Sequence, residues 1–356
     1  MSAISPCFDS LVLLLLTMLL CICIPLYAYV FSSTLCFLVY FLTNLLLSIH
    51  HVYSTSRGEY EFMKQFLLLL YAGFSTQQIH RIYPELLQFT GTIPQMIQSL
   101  KKIFSHMPQS HFQQKLERLE TLNIHTIEAS LQEHQITAIA MDDPLYPTLL
   151  KEIYDPPLIL FCRGRLELLQ RSTHNLGIVG ARQHTTYTPQ ALHALFNEFQ
   201  HFPLTIVSGL AHGTDALAHH FALQHHMSTI GVLGFGHFHH YPKETRQLRQ
   251  TMEQHHLTIS EYPPHTPIAK FRFPERNRII SGLSKGILIT EAKEKSGALI
   301  TLDQALEQNR NVYVLPGDMF NMHTKGNMLR VKEGAEIVLC AQDILKDYDD
   351  SNVNAL

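Results

Sequence analysis

The chain has no Trp, only six Cys and no Cys-x-x-Cys pair. Four of those cysteines, Cys7, Cys21, Cys23 and Cys36, lie in or beside one apolar N-terminal stretch. That pattern excludes a disulfide framework or a zinc knuckle as the organising device and fits a reducing compartment. Neither charge sign dominates: 27 Lys and Arg face 30 Asp and Glu, a formal net charge of −3. Global charge therefore does not mark a nucleic-acid binder, and any basic surface must be local. Glycine and proline are sparse at 17 each against 46% apolar residues, which excludes collagen-like repeats and disorder. No G-x-x-x-x-G-K-[ST] and no H-E-x-x-H occurs, so neither a Walker loop nor a zincin is present.

Charge is missing altogether from Ser10 to Ser56. Two apolar runs within Leu11–Ile49, broken near Pro25 or Ser32-Ser33, are each about 20 residues, the length of a membrane-spanning helix. Two readings of residues 1–60 stand side by side: a transmembrane hairpin with membrane contact through 11–49, or sequence upstream of a true start at Met63.

From 61 to 133 the pattern is helical. Ser75 with Gln78 forms a capping box, and Thr92 with Pro94 marks a further start. From 134 to 340 the grammar changes. Apolar strand-like runs at Ile136–Met141, Leu158–Cys162, Leu176–Val179, Leu204–Val207, Thr229–Leu233, Ile287–Thr290 and Asn311–Leu315 alternate with helical stretches near 188–200, 214–226, 243–255 and 298–308. The alternation predicts an α/β fold: a mostly parallel sheet with helices on both faces. Residues 341–356 form an acidic, polar tail.

Ligands of such sheets bind beyond the carboxyl ends of the strands. Three glycine-bearing joints fall there. Gly177-Ile178-Val179-Gly180-Ala181-Arg182 ends one strand, and Arg182 offers a planar fork to phosphate. Ser208-Gly209-Leu210-Ala211-His212-Gly213-Thr214-Asp215 leads into a helix. Ser296-Gly297-Ala298-Leu299-Ile300-Thr301 opens another after a charged loop. Loop amides at helix N-termini attract anions. A fourth segment, Lys270-Phe271-Arg272-Phe273-Pro274-Glu275-Arg276-Asn277-Arg278, interleaves cations with aromatics, the pairing that grips phosphates and stacks single-strand bases. No acid–base pair is visibly placed for catalysis, and no cofactor or metal is called for. The 23 His include His219-His220, His225-His226 and His237-Phe238-His239-His240; His219 fits a core position and the others read as polar surface filling.

In order and spacing, residues 143–338 resemble the DNA-processing protein A family, also called DprA or Smf. The match runs through Tyr146-Pro147, Asp155-Pro156-Pro157, Gly180-Ala181-Arg182, Ser208 to Asp215, Ala218-His219, Tyr241-Pro242, Ser260-Glu261-Tyr262-Pro263-Pro264, Phe273 to Ser284, Ser296 to Thr301, Pro316-Gly317 and Gly334-Ala335. The resemblance implies an extended Rossmann-like domain, and a homodimeric single-stranded DNA-binding protein that loads RecA recombinase in natural transformation. It further implies a phosphate contact from Arg182, a binding-groove Lys and aromatic at Lys270 and Phe273, DNA contacts from Arg276, Asn277 and Arg278, and glycine-turn phosphate cradles at Ser208, Gly209, Gly213, Ser296 and Gly297. The helical module resembles the SAM- or helix–hairpin–helix-like module of other members.

Departures are Ala181 where Ser or Thr is common, His212 in place of Arg, Thr214 in place of Ile, and an acidic tail where many members carry a winged helix. Two rival readings remain: a phosphoribohydrolase-like enzyme using Asp303 or Glu307, and a membrane-anchored scaffold.

Overall fold

A computed structural model describes residues 63–349, apart from 88, 90 and 105–108. The apolar segment 11–49 and the last seven residues of the tail lie outside the described residues. Among the described residues no helix is long and apolar enough to cross a membrane.

The helical part begins with residues 63–72, whose Phe66–Leu70 run is buried on every side. Helix Thr76–Arg81 starts where the capping box places it: Gln78 N–H reaches Ser75 Oγ, and the Gln78 side chain accepts from Ser75 N–H. Tyr83–Leu87, Ile93–Ile103, Gln109–Thr121 and Ile124–Glu133 complete this part. These helices share one apolar core with Ile136, Leu158, Ile159 and Phe161, so they pack directly on the edge of the sheet. The described residues accordingly fall in one compact unit.

Nine strands follow: β1 (Thr137–Ala140), β2 (Ile159–Gly164), β3 (Asn175–Val179), β4 (Thr205–Ser208), β5 (Ser228–Leu233), β6 (Leu257–Ser260), β7 (Gly286–Ile289), β8 (Asn311–Val314) and β9 (Glu336–Ile337). Their order across the sheet is β1-β2-β6-β5-β4-β3-β7-β8-β9. From β6 to β9 all neighbours are parallel, while β1–β2 and β2–β6 are antiparallel. The architecture is the expected α/β, mostly parallel sheet. The chain winds outward from β3 through β4, β5 and β6, then returns to pair β7 on the other side of β3. That reversal is the switch point at which a parallel sheet opens a crevice.

The seven anticipated strands are present, and β6 and β9 add to them. The cationic segment at 270–278 is the other addition, since most of it lies in a helix, Arg272–Leu283. His237 departs from the surface reading: it is 4% exposed, its Nε2 lies 2.8 Å from the Phe161 carbonyl, and Arg249 Nη2 donates to its own carbonyl. A ring so enclosed joins the loop after β5 to β2.

Candidate nucleic-acid interface

Three loops at the carboxyl end of the sheet are stitched to one another. Thr214 opens the helix Thr214–Gln224, and both its backbone N–H (3.2 Å) and its hydroxyl (3.1 Å) donate to the Ala181 carbonyl. The same hydroxyl sits 3.1 Å from Thr290 Oγ1, at the end of β7. His212 Nδ1 lies 3.0 Å from the Arg182 carbonyl. Gly213 makes this closeness feasible. Its φ is +86°, and a Cβ there would meet the Arg182 carbonyl oxygen at 2.4 Å. Glu291, just past β7, fixes the stretch after Arg182 by accepting from Thr185 N (2.8 Å), Thr185 Oγ1 (2.8 Å) and Thr188 Oγ1 (2.7 Å). Burial pushes its carboxyl up, but these donors outweigh that and hold it below the usual range.

Arg182, Gly209, Ala211, His212, Tyr241, Pro242, Phe273 and Arg276 line one open pocket on this rim. Its chemistry is mixed. Arg182 is exposed and Arg276 is 4% exposed. Phe273 is half-buried, with its ring centroid 5.7 Å from Tyr241 and 6.5 Å from Phe235. Arg276 packs against Gly209, where an added Cβ would stand 1.3 Å from Nη1. Its Nε and Nη1 are buried without a hydrogen-bond partner, and Nη1 is 3.8 Å from Asp215 Oδ2. Burial lowers Arg276 from its ordinary pKa, with Asp215 opposing. Burial also raises Asp215, against Arg276 and the amides of Ala211 and Gly209 that face its carboxylate. Desolvation therefore exceeds the attraction of this long pair. The pocket keeps an incompletely satisfied cation at its base beside two aromatic faces.

The structure turns several expected contact residues inward. Ser208 is fully buried and its hydroxyl donates to the Ile178 carbonyl at 2.6 Å. The Gly209 amide faces Asp215, so an internal carboxylate occupies that part of the glycine turn. Arg278 pairs with Glu261 through Nη2 at 2.7 Å and with Asp155 through Nε at 3.0 Å. Burial pulls that guanidinium down, but the two carboxylates raise it above its ordinary value. Asn277 is half-buried, and Lys270 is exposed outside the pocket.

Ser296 caps the helix Gly297–Glu307, accepting from Ala298 N–H at 3.3 Å; Gly297 is exposed, with nothing within 4 Å of its Cβ position. Neither lines the pocket. Tyr241 and His212 were not among the assigned contacts, although both belong to the quoted motifs; Tyr241 is 45% exposed beside Phe273.

Of the two acids considered for hydrolysis, Asp303 pairs with Arg330 at 2.8 Å and Glu307 is exposed outside the pocket. Among the described residues no group of three or more His, Cys, Asp or Glu side chains is placed to hold a metal ion.

The family of DNA recombination-mediator protein A matches residues 137–349. The chain is 42% identical over 225 residues to the DNA processing protein DprA of Bacillus subtilis, covering 63% of this chain and 75% of that one. It is 40% identical over 211 residues to DprA of Streptococcus pneumoniae, covering 58% and 72%. The crystal structure of the Streptococcus pneumoniae protein superposes with a TM-score of 0.69 at 32% identity, over 81% of this chain and 98% of that one. DNA processing protein A from Helicobacter pylori, solved for its unique single-stranded DNA binding mode, gives a TM-score of 0.53 at 27% identity, over 60% and 98%. With the matched residues running from β1 past β9 and enclosing the whole pocket, this chain belongs to the DNA recombination-mediator protein A family.

Proposed function

We propose that the pocket binds single-stranded DNA, and that the protein acts as a homodimeric mediator loading RecA onto it, without altering a covalent bond. The observation that carries this reading is the convergence of two arginines and two aromatic rings in one open pocket. Arg182 meets the sugar–phosphate backbone at the exposed lip, and Arg276 supplies positive charge at the base. Phe273 and Tyr241 offer stacking faces, each worth about 1–3 kcal/mol per base. A strand leaving the pocket continues toward the exposed Lys270. Ser208, Gly209 and Gly213 shape the turn. The reading is further supported by the single-stranded DNA binding described for the Helicobacter pylori relative. Two protomers on one strand would add avidity.

The test is a fluorescence-anisotropy titration of labelled oligo-dT over a range of salt. Wild type should bind with steep salt dependence. Arg182→Ala should weaken binding about tenfold and lower the salt slope by about 0.7, the contribution of one neutralised phosphate on a single strand. Unchanged affinity and slope would sink the assignment. RecA filament growth on strands pre-coated with single-strand-binding protein tests the loading step, and no acceleration by the wild-type protein would refute it.

A further inference from the structure

Arg276 and Arg278 sit two residues apart on the helix Arg272–Leu283. At about 100° per residue they leave the helix on nearly opposite sides. Arg276 lines the pocket and Arg278 does not. Arg278 is gripped by carboxylates from two distant segments: Glu261, immediately after β6, and Asp155, in the Asp-Pro-Pro loop before β2. Its Nη1 also donates to the Glu275 carbonyl at 3.4 Å, and Gln308 donates to the Arg278 carbonyl at 3.2 Å. From the helical part, the Thr76 hydroxyl donates to Glu261 Oε2 at 3.3 Å. One guanidinium thus ties the pocket helix to the sheet, to the Asp155 loop and, through Glu261, to the N-terminal helices. Two carboxylates against one cation also leave this cluster net negative, which repels a phosphate.

We infer that Arg278 is a positioning residue: through its clamp on Glu261 and Asp155 it sets Arg276 on Gly209 and makes the N-terminal helices part of the scaffold of the DNA site. This inference rests on the binding reading above. Because the helix is a rigid rod, loosening Arg278 lets it pivot, and Arg276, about 3 Å away along the axis, leaves its seat. A direct phosphate contact would instead act independently of Arg276.

The experiment is a double-mutant cycle on oligo-dT affinity in the full chain. Arg278→Gln should weaken binding about tenfold in the wild-type background but less than about twofold in an Arg276→Met background. Asp155→Asn, at a side chain 24% exposed, should show the same dependence on Arg276 with a smaller loss of about threefold, and it carries the test if Arg278→Gln does not fold. Equal losses in both backgrounds would overturn the inference. No binding by the wild-type protein would overturn the binding reading and this inference with it.

Discussion

Replacing Gly209 by Ala adds one methyl group at the base of the pocket. The backbone there does not need glycine, because Gly209 is not among the residues with positive φ. Space is the constraint. The new Cβ would lie 1.3 Å from Arg276 Nη1, 2.3 Å from Cζ and 2.6 Å from Nη2. Carbon contacts need about 3.5 Å, so the guanidinium must retreat by about 2 Å. Arg276 is 4% exposed and has little room to do so. Overpacking of this kind costs about 1–3 kcal/mol of stability. If Arg276 contacts the strand, its displacement removes a charged hydrogen bond of about 1.5–3 kcal/mol, or roughly a 10- to 150-fold loss of affinity. Gly297→Ala is the matched control. Its Cβ would meet nothing within 4 Å, and a surface change of that kind shifts stability by no more than about 0.5 kcal/mol. Anisotropy with oligo-dT measures the first quantity and urea melting the second. A Gly209→Ala protein that binds within about twofold of both wild type and Gly297→Ala would refute the role given to Arg276.

Three further outcomes follow from the same geometry. Tyr241→Ala, at a ring 45% exposed, should leave the melting temperature unchanged while removing about 1–3 kcal/mol of stacking, read as weaker oligo-dT binding. Asp215→Asn removes the negative charge 3.8 Å from Arg276 and should tighten binding by about threefold; a weaker complex would count against attraction at the pocket base. Glu253 gives a pH signature. Burial pushes its carboxyl up, yet the contacts with His237 and Arg249 outweigh this and hold it at about 2. A depressed carboxylate contributes stability above its unfolded value near 4.5, and that contribution is lost as pH falls toward 2. In urea melts Glu253→Gln should therefore be less stable than wild type at pH 6, with the gap closing toward pH 2; a gap constant with pH would contradict this.

Much of the sheet was readable because buried parallel strands are short apolar runs, and Leu176–Val179 or Thr229–Leu233 can hardly be anything else between turn residues. The capping box at Ser75 is equally local, since its donors and acceptors lie within three residues. β9 escaped because it is two residues long, and the helix Arg272–Leu283 because its polar first turns hide the apolar Ile279-Ile280 stripe behind a run of cations.

Chain order alone made Arg182 a candidate lip residue: an arginine after a strand-terminal glycine at the carboxyl edge of a parallel sheet stands at the crevice whatever the details elsewhere. The division of labour between Arg276 and Arg278 needed the folded molecule. Both appear as cations in one polar segment, and what separates them is which way each leaves the helix and which carboxylate waits there. Glu261 lies 17 residues from Arg278, Asp215 and Asp155 lie much farther from the helix in sequence, and all three become its neighbours only when the strands pair. The same holds for Ser208, whose hydroxyl is committed to a carbonyl of the adjacent strand. Local sequence sets backbone preference and burial period, whereas the partner of a buried charge is chosen by tertiary packing, because its electrostatic energy depends on distances that no local pattern encodes.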